Sequence, residues 1–368
     1  MRVLVDVGHP AHVHLYARML RLLEAEGHDY LVTARAKEVT VDLLKAKGLR
    51  HEVLQGKPRR GARVWGEWAR RSGAVYRRAR QYRPDILLGN LNPAIAHAGF
   101  LLRRPTINFL DHEPHIVRFP IGNWVTIPFT DTLVVPSAVR HDYGRKAIVV
   151  PSYKELAYLH PDHWSPDPGV QAWTRERTGG GRFALVRFVS WSAHHDVGKA
   201  GLSTEEKERL VHELARTMPT WISSEGPLPA SLEPMRLPLP PESIHTVLHE
   251  AALFVGDSQT MATEAAVLGT PGVRSNQFVG PRDMGNFIEL EERYGLLSNR
   301  RSFDDAMAEV RRLVADPTSK ATARAARGRL LQDKIDLSAF LAWLVAGYPE
   351  TARLARADPA LATRRPPA

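Results

Sequence analysis

Two stretches of the sequence carry side chains whose types and spacing could do chemistry. "DVGHPAHVH" crowds His9, His12 and His14 into the turn that ends an apolar run. A histidine at a helix start has its cationic form disfavoured by the positive end of the helix dipole, so it stays a neutral imidazole able to take a proton near pH 7. His9, His12 and His14 are the candidates for a general base, for which reach to an acceptor hydroxyl is the geometric requirement. The second stretch is "AALFVGDSQTMATEAAVLGTPGVRSN". Its apolar strand runs through Gly256 into Asp257, Ser258 and Thr260, and a helix follows that Gly269 closes. The free N–H groups and positive end of such a helix make a phosphate site, to which the hydroxyls of Ser258 and Thr260 can add bonds. Glu264, one turn in from Thr260, can accept from a ribose diol. The plainer reading is that Asp257 or Ser258 only caps the helix.

Further polar loops follow other strand-like runs. In the first half Asn90 and Asn92 come after "DILLG", and Asp111, His112, Glu113 and His115 come after "PTINFL". In the second half "RFVSWSAHHD" sets Ser190, Ser192, His194, His195 and Asp196 after a strand, where a diphosphate or nucleobase would lie. "SSEG" (223–226) and "RSNQ" (274–277) end two more strands. Arg274 is the cation best placed to face a leaving diphosphate, with Asn276 beside it, against a buried pairing with Glu264 or Glu225. A rival chemistry is a two-loop metal site for hydrolysis built from "HPAHVH" and "LDHEPH". No Asp-x-Asp pair occurs to hold a divalent ion, and no metal or other cofactor is expected.

The elements that must position these residues follow from the alternation of short Val/Ile/Leu runs with amphipathic stretches. "RVLVDV", "DYLVTA", "DILLGN", "PTINFL", "DTLVVP" and "AIVVP" predict a first parallel sheet, and "RFALVRFVS", "TWISSEG", "MRLPL", "AALFVGDS" and "TPGVRS" a second. The expected fold is α/β, two Rossmann-like domains facing across a cleft. Residues 1–150 form the first domain, 151–164 a Pro-containing linker and 165–335 the second. Residues 336–355 are expected as a helix returning to the first domain, and 356–368 as a disordered tail. Ligands of open parallel sheets bind at the carboxyl edge of the strands, so function belongs in the loops named above.

With 368 residues, two cores are expected. The absence of cysteine excludes disulfides and thiolate chemistry. Apolar runs such as "AFLAWLVAGY" are too short to span a bilayer. The chain opens directly into a strand pattern, which reads as cytoplasmic. Of the net charge of +10, the segment 57–83 supplies most, with ten Lys/Arg against Glu67. Trp65, Trp68, Val75, Tyr76 and Ala79 recur there at helical spacing, so an amphipathic helix with a basic face is expected. Its readings are a solvated face or a contact with an anionic membrane surface. Nucleic acid is disfavoured, since no recognition module occurs.

The segment "GDSQTMATEAAVLGTPGVRSN" resembles the donor-binding segment of two-Rossmann-domain (GT-B) glycosyltransferases, notably the N-acetylglucosaminyltransferase of peptidoglycan synthesis, and of the UDP-N-acetylglucosamine 2-epimerases. The wider pattern, "DVGHPAHVHLYARML", "SYKELAYLHPDHW", "RFVSWSAHHDVG" and "GDSQTMATEAAVLGTP", is similar to the family called domain of unknown function 354, over residues 1 to about 335. The resemblance implies a nucleoside-diphosphate sugar held by the second domain, with Glu264 on the ribose. It implies a hydroxyl acceptor on the first domain, lined by Asn90, Asn92 and Asp111 to His115. It sets Glu113 at the place of an acidic residue near the acceptor and His12 at the His that ends the transferase's glycine-rich turn, which makes His12 the candidate general base, with His9 and His14 as alternatives. His9, Pro10 and Ala11 replace the intervening glycines. The implied activity is a metal-independent glycosyl transfer to a hydroxyl acceptor, and the charge and tryptophans of the 57–83 segment add the expectation that this acceptor is lipid-linked or otherwise presented at an anionic membrane. The alternatives are a 2-epimerase, for which "RSNQFVGPRD" lacks the usual Arg-x-x-Thr-Glu-Arg run, and a non-catalytic sugar-nucleotide sensor.

Overall fold

The computed structural model describes residues 1–35, 39–55, 64–116, 121–189 and 202–362. In chain order the elements are β1 (Arg2–Val7), α1 (Pro10–Ala25), β2 (Asp29–Arg35), α2 (Thr40–Ala46), β3 (His51–Gln55), α3 (Val64–Tyr82), β4 (Ile86–Asn90), α4 (Pro93–Leu102), β5 (Thr106–Phe109), α5 (Ile121–Thr126), β6 (Thr132–Pro136), β7 (Ala147–Val150) and α6 (Leu156–Leu159). They continue with α7 (Pro168–Thr178), β8 (Ala184–Phe188), α8 (Thr204–Ala215), β9 (Thr220–Ser224), α9 (Ile244–Glu250), β10 (Leu253–Gly256), α10 (Gln259–Leu268), β11 (Gly272–Ser275), α11 (Gly285–Glu292), β12 (Leu297–Arg300), α12 (Phe303–Ala315), α13 (Ser319–Asp333), α14 (Leu337–Ala346) and α15 (Glu350–Ala357). The chain divides into two units, Met1–Tyr158 with Lys334–Ala368, and Leu159–Asp333.

The first unit is built on a parallel sheet of order β3-β2-β1-β4-β5-β6-β7. Its central strands are buried along almost their whole length, because helices cover both faces, whereas the edge strand β7 alternates. Val75, Ala79 and Tyr82 of α3 pack with Leu4, Leu31, Leu87, Ile95 and Ala98 on one face. The run "AFLAWLVAGY" is explained by α14, which buries Leu337, Phe340, Leu341, Leu344 and Val345 within this unit and packs on α1. Asp336 caps it, accepting from Ser338 N at 2.8 Å. Order continues through α15 and a 3-10 turn at Pro359–Ala362. The tail expected from 356 is therefore structured over its first residues, and 363–368 lie outside the described ones.

The second unit carries a parallel sheet of order β12-β11-β10-β8-β9. Val186, Phe188, Val255 and Val273 meet Leu210, Leu214 and Ile222, with Phe303, Met307 and Val310 of α12. Two expected elements differ. "MRLPL" is not a strand: Pro238 and Pro240 lack the donors a ladder needs, and only a single bridge joins Arg236 to Ile222. The fifth strand is β12, whose polar "LSNR" gave no apolar signal. In the first unit β3 was missed for the same reason, "HEVLQ" being short and half polar.

Candidate functional site

In the second unit the polar loops gather where the sheet changes direction, between β8 and β10. Chain connections on either side of such a point diverge and leave a crevice. Gly256 is required there because a Cβ would lie 2.6 Å from the Arg187 carbonyl oxygen. Asp257, buried, accepts from Val189 N at 2.9 Å and so ties the end of β10 to the end of β8. Ser258 is the N-cap of α10, its Oγ accepting from Met261 N at 3.3 Å. Gln259 and Thr260 follow in the first turn, where backbone N–H groups have no intrahelical acceptor. The half-buried Thr260 stands at this mouth. Gly269, at φ 74°, closes the helix.

Glu264 is buried on α10, and His245 of α9 approaches it, Nε2 lying 3.1 Å from Oε1. Sequence reasoning missed His245, which is nineteen positions away on another helix. Asn276 is also buried. Its Nδ2 donates to the Asp257 carbonyl at 3.2 Å and its Oδ1 accepts from Phe278 N at 3.0 Å, so it braces the turn from β11. Ser190 and His194, with Ser192, His195 and Asp196, lie outside the described residues.

Arg274 is a correction. Its side chain has no exposure at all, so it is not a cation facing a phosphate. The guanidinium forms an ion pair with Asp283, donates from Nε to Asn299 at 2.8 Å and lies 3.6 Å over the Phe287 ring. Burial lowers its pKa and Asp283 opposes that fall. The expected buried partners, Glu264 and Glu225, are engaged elsewhere. Glu225 accepts from Arg187 at 2.6 Å, and Arg187 also donates to Ser223 at 2.7 Å. Arg187 is thus a paired, partly exposed cation, and a charge inside the run "ALVRF" is the sequence signal that something must pair with it.

In the first unit the loops after β1, β4 and β5 carry the other residues. His9 is the N-cap of α1, its Nδ1 accepting from Ala11 N at 3.2 Å, with Pro10 at the first helical position. His12 Nδ1 accepts from Gly8 N at a long 3.4 Å. In that arrangement a neutral His12 carries its proton on Nε2, so service as a base through Nε2 requires the other tautomer. His14 packs its ring 5.0 Å from that of Tyr158. After β4, Asn90 is half-buried and Leu91 adopts φ 37°, a strained value for a branched residue. The turn brings Asn92 back over Gly89, where a Cβ would lie 2.6 Å from that of Asn92. Asn92 caps α4, accepting from Ala94 N at 2.9 Å, and donates to Asp6 at 2.8 Å. Its amide is thus committed to the fold.

After β5, Asp111 is held 2.8 Å from Lys154 Nζ and 3.3 Å from His112 Nδ1. Burial raises the cost of its charge, but Lys154 and His112 outweigh that and hold its pKa well below the usual carboxylate value. Glu113 is buried and accepts from Arg140 N at 3.0 Å; His115 is exposed. Burial first, then Glu113 and Asp111, push the Tyr143 hydroxyl pKa up. Among the described residues, the histidines after β1 and the acids after β5 do not converge on a common metal position.

The basic segment is corrected in part. Residues 57–63 lie outside the described ones. On α3, Arg71 is buried in an ion pair with Asp6, and Arg78 is bidentate on Glu52 at 2.5 and 2.7 Å. Arg70, Arg77 and Arg80 are exposed. Trp68 lines a pocket; exposed aromatic surface is found instead at Phe100 and Trp124. No helix among the described residues is long and apolar enough to cross a membrane.

No protein-family model and no curated protein matches the chain. Solved structures do. The glycosyltransferase VinC in complex with dTDP aligns over 97% of this chain and 100% of its own at 15% identity, TM-score 0.61. A UDP-GlcNAc 2-epimerase from Neisseria meningitidis bound to UDP-GlcNAc aligns over 96% and 100% at 12% identity, TM-score 0.63. The spinosyn rhamnosyltransferase SpnG aligns over 94% and 100% at 16% identity, TM-score 0.59. The chain therefore has the α/β fold of GT-B glycosyltransferases and UDP-GlcNAc 2-epimerases, with two Rossmann-like units.

Proposed function

We propose that the protein is a metal-independent glycosyltransferase that moves a sugar from a nucleoside-diphosphate sugar to a hydroxyl acceptor. The observation that carries this reading is the β10–α10 turn. Gly256 permits close strand packing, Ser258 caps a helix whose Gln259 and Thr260 N–H groups have no intrahelical acceptor, and the His245–Glu264 pair lies further along the helix. The amides and hydroxyls would take the diphosphate and Glu264 the ribose diol. Fixed dipoles aimed at the leaving diphosphate stabilise the charge it gains. The acceptor oxygen forms a bond to the anomeric carbon as the bond from that carbon to the β-phosphate oxygen breaks. The nucleoside diphosphate leaves with the electron pair, and the acceptor proton passes to His12 acting as base, with Glu113 near the acceptor. The resemblance of "GDSQTMATEAAVLGTPGVRSN" to the donor-binding segment of GT-B glycosyltransferases supports the same reading. The test is calorimetric titration with UDP and dTDP, then turnover of their sugars with and without exhaustive chelation. Absence of binding by any nucleoside diphosphate would sink the reading, and loss of turnover on chelation would remove metal independence.

The 2-epimerase reading uses the same nucleotide site, and the likeness in fold extends equally to an epimerase with its substrate bound. Incubating UDP-GlcNAc with the protein and no acceptor separates the two: formation of the 2-epimer, followed by proton NMR, would replace transfer with epimerisation.

A further inference from the structure

A small pocket, with a cavity volume of about 90 Å³, opens within the first unit at the point where its sheet changes direction, between β1 and β4. That is below the roughly 300–1,000 Å³ of whole small-molecule sites, and it suits one charged group of a larger ligand. Asp6, Arg35, Trp68, Arg71, Ser72 and Asn92 are among its lining residues. Its charges can be counted. Asp6 is saturated by the Arg71 ion pair, by Thr33 Oγ1 at 2.6 Å and by Asn92 Nδ2 at 2.8 Å. Arg71 is fixed further by donating to the Ala34 carbonyl at 3.1 Å. Of the two other charges that act on Arg35, Glu67 and Arg70 lie 4.0 Å from each other. Arg35 is the remainder. It is half-buried at the end of β2 and, among the described residues, its guanidinium forms no hydrogen bond or ion pair. Burial first and then the neighbouring Arg71 lower its pKa, and Asp6 and Glu67 oppose that fall.

A half-buried guanidinium in a pocket whose own carboxylate is taken has five donors to offer and one geometry that suits them, the planar fork of a carboxylate or the oxygens of a phosphate. Trp68 supplies an apolar, polarisable wall beside it. We propose that this pocket is an anion subsite, in which Arg35 holds a carboxylate or phosphate carried by the acceptor while Trp68 lies along the adjoining apolar part. The inference rests on the reading that the first unit binds the acceptor, and it narrows that acceptor to a molecule with a negative group.

The experiment uses the full chain and four probes: benzoate and phenyl phosphate, with benzamide and phenol as their neutral counterparts. Binding is followed by calorimetry and by tryptophan fluorescence. The two anions should bind saturably and the neutral probes should not, with affinity falling as salt is raised. R35Q should weaken the anions by at least about tenfold, the worth of a hydrogen bond to a charged group, and R35K should recover part of that. W68F should alter the fluorescence response, and R77Q, on the exposed face of α3, should change nothing. Because Arg35 has no partner to lose, R35Q should melt no lower than wild type. The stronger of the two anions identifies the group, carboxylate or phosphate. Equal binding of the neutral probes, unchanged anion affinity in R35Q, or no anion binding at all would each overturn the proposal. UDP titrated into the same samples keeps the two readings apart: R35Q should bind nucleotide as wild type does. Failure of wild type to bind it would count against the transferase reading and leave the anion result to stand on its own.

Discussion

Where the strands of the first sheet end, charge meets charge: Asp6 is locked to Arg71, and Asp111 sits between Lys154 and His112. Where the central strand of the second sheet ends, Gly256 leads instead into the hydroxyls of Ser258 and Thr260 and the open first turn of α10. Both edges follow the same topological rule and both carry ion pairs, Arg187–Glu225 and Arg274–Asp283 in the second, yet the turn after the central strand is held by an ion pair in the first and by a capped backbone in the second. The difference matters for a ligand. Ion pairs that are already satisfied position loops and leave only surplus charge, such as Arg35, to recognise anything. A helix mouth offers its donors without first breaking a contact.

The largest effect that would break this comparison is on stability. Arg71→Met leaves Asp6 charged and buried without its cation, which should destabilise the first unit by about 3–5 kcal/mol. Asp6→Asn added to it should recover part of the loss, since Asn keeps hydrogen bonds to Thr33 and Asn92. Urea unfolding of the two variants measures both, and a loss below about 1 kcal/mol in the single variant would mean that the pair does not organise this edge.

The second unit also buries a charge, but at the far end of α10. Lys320 donates to the His249 carbonyl at 2.7 Å and to Thr270 just past Gly269. Burial, and then Arg324, bring its pKa from 10.5 to about 7. Between those two values the unfolded chain holds a proton that the folded chain has released, so stability rises with pH across that window. Below about pH 7 both forms are protonated and the full penalty stands. Wild type should therefore gain on the order of 3 kcal/mol from pH 6.5 to pH 10 relative to Lys320→Met. Melting curves across that range that run parallel for the two proteins would show Lys320 charged in the fold.

At the mouth of α10, Glu264→Ala should weaken UDP or dTDP by roughly 1–3 kcal/mol, the cost of leaving ribose hydroxyls unpaired. His245→Ala, which only frees the carboxylate, should weaken it less. Calorimetry that finds the two equal would assign Glu264 to packing with His245 rather than to the ligand. The smallest stability effect belongs to the outer face of α3. Arg70→Gln, Arg77→Gln and Arg80→Gln should each change stability by no more than about 0.5 kcal/mol. If that face meets an anionic membrane, the triple variant should lose flotation with anionic vesicles at low salt, each cation being worth on the order of 1 kcal/mol there. Equal flotation of wild type and variant would leave these arginines as a solvated face.

Most of the architecture was legible because parallel strands buried on both faces write themselves as short Val/Ile/Leu runs. The misses, "HEVLQ" and "LSNR", are edge strands with polar faces, which that pattern does not mark. The cap residues were legible too. Pro10 after His9, Pro93 after Asn92, and Ser258 three residues before Met261 are local signals, and helix starts are local structures.

The partners of the charged side chains were not legible. Arg274 looked like a phosphate ligand because it ends a strand, and it is instead buried against Asp283, Asn299 and Phe287. Arg71 and Arg78 looked like one basic face, although Arg71 reaches Asp6 across 65 positions and Arg78 reaches Glu52. Sequence alone determined two α/β units, the strands that carry loops and the glycine-to-helix turn, since these depend on neighbours a few residues away. Only the tertiary structure decided which charges cancel and which remain to meet a ligand. An ion pair is chosen by proximity in space and by the dielectric around it, and neither quantity is encoded at any fixed spacing along the chain.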